Sequence, residues 1–104
     1  MRLFVLGGEV VAAVKYSSTD WNTAEGGTVV TAFEPNAELI DIAMRAAAAV
    51  QGDIVAVDIL EFEGDYFVLE VEYTVELEPV AAVVDTDRLI AKIIDVLEQK
   101  GGAA

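Results

Sequence analysis

A chain of 104 residues with 55% hydrophobic content has material for one small domain around one core. Its formal charge of -13, from 19 acidic and 6 basic residues, opposes phosphate backbones and anionic lipid, which excludes a nucleic-acid or membrane-surface role. With no Cys there is no disulfide or thiol chemistry, and with no His any bound metal must be a hard ion held by oxygen, such as Mg²⁺, Mn²⁺ or Ca²⁺.

Residues 2–6 (RLFVL) and 9–16 (EVVAAVKY) are extended runs joined by Gly7-Gly8, a two-residue loop that accepts positive φ and so predicts a hairpin. The polar stretch 17–28 (SSTDWNTAEGGT) reads as a long loop, in which Trp21 and Asn22 anchor the loop before they contact any ligand. A short strand over 29–33 follows. Asn36 then caps a helix over 37–51, whose stripe is Leu39, Ile40, Ala43, Met44, Ala46, Ala47 and Val50, and Gly52 stops it.

Residues 53–62 and 66–75 read as strands around a three-residue loop, Glu63-Gly64-Asp65. After a looser segment, 76–84, Asp85 or Thr86 caps a last helix to about Gln99, with Leu89, Ile90, Ile93, Ile94 and Leu97 at helical spacing. The tail, 100–104, is expected to fray. The order ββαββα predicts a single α+β domain over 1–104, two-layered, with an antiparallel sheet and both helices on one face. No apolar run approaches the roughly 20 residues of a membrane span, and the start lacks a signal-peptide pattern, so a cytoplasmic protein is expected.

The second hairpin carries the chemistry. A three-residue loop pairs Phe62 with Tyr66, Asp58 with Glu70 and Ala56 with Glu72. Odd positions (Val55, Val57, Ile59, Phe67, Leu69, Val71, Tyr73) then face the helices. Even positions place Asp58, Glu70 and Glu72 together on the helix-free face beside Leu60, Phe62, Tyr66 and Val68. Like charges directly opposite destabilise a sheet, and a divalent cation reverses that sign. A plain solvated face is the competing reading, and a two-residue loop would break the Asp58–Glu70 pairing.

Taken in order, RLFVLGGEVVAAV, a loop with Asn22 and Gly26-Gly27, a helix, AVDILE, VLEVEYT and a terminal helix resemble the C-terminal subdomain of an ATP-grasp ligase. The branch is that of the amino-acid ligases acting on a ribosomal protein or on a lysine-biosynthesis carrier protein. The resemblance implies that Asp58 and Glu70 are acidic metal ligands and that Glu72 stands where the family has a third, asparagine ligand. It also implies cofactor contacts from Asn22, in the family's Asn-x-x-Arg-Gly-Gly loop, and from Arg2, which matches an arginine opening the family's first strand here. The loop arginine is replaced by Glu25, and the nucleotide-gripping subdomain is absent.

These departures point to a stand-alone structural domain, excised, redesigned or engineered on an ATP-grasp scaffold. It would have no catalytic residue and no cofactor, and would form a homodimer through Leu60, Phe62, Tyr66, Val68, Phe4, Leu6 and Val11. The alternative is a fragment of a carboxylate–amine ligase, forming acyl phosphate and amide bonds with a missing N-terminal half and using ATP with Mg²⁺ or Mn²⁺.

Overall fold

Gly7 and Gly8, at φ of 62° and 78°, close the first hairpin between β1 (Arg2–Leu6) and β2 (Glu9–Ser18). The computed structural model describes residues 1–18, 28–73, 80, 81 and 83–102. β2 also pairs with β3 (Thr28–Ala32). The helix α1 (Ala37–Ala49) is capped by Asn36, whose Oδ1 accepts from the Leu39 N–H at 2.8 Å. Strands β4 (Ile54–Phe62) and β5 (Asp65–Glu72) form the second hairpin, and α2 (Thr86–Gly102) runs on through residues expected in a frayed tail. Every pairing is antiparallel, and the sheet order is β3-β2-β1-β4-β5. The α+β class and the antiparallel sheet expected from the sequence are found.

The placement of the helices differs from expectation. Leu3 and Val5 cluster with Leu39, Ala43 and Ala47 of α1 and with Val55, Val57 and Ile59 of β4. Leu6 clusters instead with Leu89 and Val96 of α2, while Phe4 packs with Val14, Ala56 and Val80. Neighbouring side chains of a strand point to opposite faces, so α1 and α2 cover different sides of the sheet. A central strand covered on both sides must be apolar throughout, and Leu3, Phe4, Val5 and Leu6 are all buried. There is accordingly no helix-free face, and Phe4 and Leu6 are core residues, not part of an open dimerising surface. Of the side chains expected there, Leu60, Phe62 and Val68 are exposed, whereas Val11 and Tyr66 pack against buried clusters.

The second hairpin has a two-residue turn, not three. Phe62 pairs with Asp65 across Glu63 and Gly64, both at positive φ. A bulge then shifts the register: Ile59 opposes Val68 and Asp58 opposes Glu70, leaving Leu69 as the extra residue. The expected Asp58–Glu70 and Ala56–Glu72 pairings therefore hold despite the shorter turn. Toward the turn the faces exchange, so Tyr66 packs on the α1 side while Phe67 opposes Leu60. Among the described residues no helix is long and apolar enough to cross a membrane.

Candidate metal centre

Three adjacent strands build the site. Arg2 of β1 faces Asp58 of β4 in register, Asp58 faces Glu70 of β5, and Glu72 lies opposite Ala56, one side-chain step along the same face. This is the face on which Phe4 and Ala56 pack.

Arg2 grips Asp58 bidentately: Nε donates to Oδ1 at 2.8 Å and Nη2 to Oδ2 at 3.1 Å. The same Nη2 lies 3.4 Å from Glu72 Oε2. These side chains are only 17% (Arg2), 21% (Asp58) and 30% (Glu72) exposed, so water screens the pairs less than at an open surface. The hydrogen bond to Asp58 raises the Arg2 pKa above its ordinary value; burial opposes that shift and the charge of Asp58 adds to it. The Arg2 guanidinium also lies 5.8 Å from the centre of the Tyr16 ring.

One carboxylate oxygen from each of Asp58, Glu70 and Glu72 lies within 4.8 Å of the others. Hard divalent ions take oxygen ligands at about 2.1 Å for Mg²⁺ and about 2.3–2.6 Å for Ca²⁺, so oxygens on opposite sides of an ion are about 4–5 Å apart. The all-oxygen donor set suits such an ion, and the separations do not exceed the upper end of that range. Three carboxylates and one guanidinium sum to a double negative charge, which one divalent cation neutralises.

The sequence-expected ligands Asp58, Glu70 and Glu72 are thus brought together. Arg2, expected to hold phosphate or substrate, is the ion-pair partner of two of them. That pairing follows from β1 lying beside β4, a strand order that no local pattern reveals. Tyr16, on β2, was not anticipated because a bulge in the first hairpin shifts the register by one residue and turns it to the side of Arg2. Asn22, with Trp21, Glu25, Gly26 and Gly27, lies outside the described residues, as do Glu76 and Glu78.

Comparison with known proteins agrees with the fold. A family model for the RimK-like ATP-grasp domain matches residues 1–97. The chain is 30% identical over 97 residues to the coenzyme gamma-F420-2:alpha-L-glutamate ligase of Methanococcus maripaludis, covering 90% of this chain and 34% of that protein. It is 36% identical over 103 residues to a probable alpha-L-glutamate ligase of Xanthomonas campestris pv. campestris, covering 95% and 35%.

Among solved structures, the ATP-grasp ligase PsnB with its minimal precursor superposes at a TM-score of 0.77 and 22% identity, over 90% of this chain and 33% of that one. PsnB with a phosphomimetic variant of the precursor, Mg and ADP gives 0.74 at 25% identity, over 88% and 32%. The chain spans about a third of the length of these relatives. It belongs to the RimK-like ATP-grasp family.

Proposed function

We propose that this chain supplies the acidic, metal-holding part of the active site of an ATP-grasp carboxylate–amine ligase, with the nucleotide-gripping part contributed by the remainder of that fold. The observation that carries the reading is the convergence of Asp58, Glu70 and Glu72 to within 4.8 Å in a chain of this family. Asp58 and Glu72 are held in place by Arg2, and Glu70 reaches in from the edge strand β5. A divalent ion bound there would neutralise phosphate oxygens while a substrate carboxylate is phosphorylated and then joined to an amine. Without that ion, the three carboxylates repel a nucleotide phosphate.

Support for this over a free-standing redesigned scaffold comes from the 30% and 36% identities with glutamate ligases, which run through nearly the whole chain. The names of those relatives favour glutamate as the amine donor. Asn22 keeps its suggested role at the nucleotide phosphates on the family resemblance alone.

Metal titration tests the reading. Mg²⁺ or Mn²⁺ binding only the folded chain raises its stability by about 1.4 kcal/mol at ten times the dissociation constant. Thermal denaturation of the wild type should show that rise, and Asp58→Asn should remove it. A melting temperature indifferent to both ions would reject the site.

A further inference from the structure

Arg2 is the one side chain, among the described residues, that pairs with Asp58 and with Glu72. Its fork engages both Asp58 oxygens, at 2.8 and 3.1 Å, and its Nη2 leans toward Glu72. Glu70, the third member of the cluster, is more exposed and lies on the edge strand, the side from which an ion would enter. Such an ion would bind an Asp58 oxygen that Arg2 now holds, and would come to rest beside a guanidinium of like sign.

We infer that Arg2 is a built-in counter-ion: it keeps the metal-free carboxylates together and gives up its fork on Asp58 when a divalent cation enters. Metal loading and release of the guanidinium are then one event. The inference rests on the metal-site reading above and adds to it a competitor carried by the chain itself. Arg2 is in these terms a positioning residue for the ligands. Once released, its planar fork is free for a paired-oxygen anion such as a phosphate or carboxylate.

Two measurements test it, neither requiring ligase activity. Mn²⁺ affinity is measured for the wild type, Arg2→Gln and Arg2→Lys. Removing a unit charge about 5 Å from a divalent ion should tighten binding about tenfold in Arg2→Gln. Arg2→Lys keeps the charge but not the fork and should stay near wild type, which separates repulsion from shape. Arg2→Gln should also be less stable than wild type in chelator and should recover on adding metal.

In the wild type, the Arg2 Nε–H resonance should leave its Asp58-bonded position as Mg²⁺ saturates the site, a readout that needs no variant to fold. Equal or weaker Mn²⁺ binding by Arg2→Gln, or an Nε–H signal unmoved at saturation, overturns the inference and leaves the metal site standing. No binding by wild type or Arg2→Gln removes both.

Discussion

Gly7 and Gly64 are both held at positive φ, 62° and 83°, yet they answer to different constraints. A Cβ on Gly64 would meet nothing within 4 Å, so Gly64→Ala carries only the left-handed backbone penalty, about 1–2 kcal/mol. A Cβ on Gly7 would stand 3.0 Å from Cγ2 of Val96, a core side chain of α2. Gly7→Ala should therefore add an overpacking cost of about 1–3 kcal/mol, visible as a larger drop in the urea midpoint than Gly64→Ala produces. Equal drops would mean that α2 is not seated against the first turn. The Gly-Gly turn was readable in the sequence because the two glycines stand between apolar runs. Glu63 at φ 52° was not, since a glutamate in the left-handed region has no local advertisement.

At the scale of elements, the C-terminus of α1 carries a correctable flaw. The Gly52 N–H bonds the Ala47 carbonyl at 2.9 Å and the Gln51 N–H bonds the Ala48 carbonyl at 3.0 Å, the paired pattern of a Schellman cap. The left-handed position in that motif, where glycine is preferred, is held by Gln51 at φ 55°. Gln51→Gly should stabilise the chain by about 0.5–1 kcal/mol in denaturant unfolding, with an unchanged m-value. A loss of stability would mean that the Gln51 side chain makes contacts that outweigh its backbone strain.

Element positions were legible from periodicity and caps to within a few residues, because Asn36, Gly52 and the Gly-Gly turn are local signals. The sharing of two helices between two faces was not read, although its sign was present. LFVL and IVAV are unbroken apolar runs, as strands buried on both faces require, not the alternation of a half-wet sheet. The three carboxylates were legible because pairing within a hairpin is local. Arg2 as their partner was not, because β1 meets β4 across more than fifty residues of chain.

For the whole molecule, charge is the dominant surface property. Against a net -13, the described residues offer four side-chain ion-pair contacts: Arg2 with Asp58 and Glu72, Arg45 with Asp41, and Lys92 with Glu9. The Arg45 pair is well exposed and contributes little. Self-repulsion should therefore exceed the attraction that salt screens. Raising NaCl from about 10 to about 150 mM, which shortens the Debye length from about 30 to about 8 Å, should raise the melting temperature. A fall would mean that the few ion pairs outweigh the excess of negative charge.

The extra residue at Leu69 bears on how such a site survives changes in chain length. Between Asp58 and Glu70 the hairpin must take up one surplus position, and here it does so in the strand; a three-residue turn with a regular ladder would take it up at the tip. Both arrangements leave Glu70 opposite Asp58 and differ in which sides Tyr66, Phe67 and Val68 take. What geometry protects is the count of residues from one carboxylate to the other, so a turn lengthened here and a strand shortened there can drift together through descent without the acidic trio coming apart.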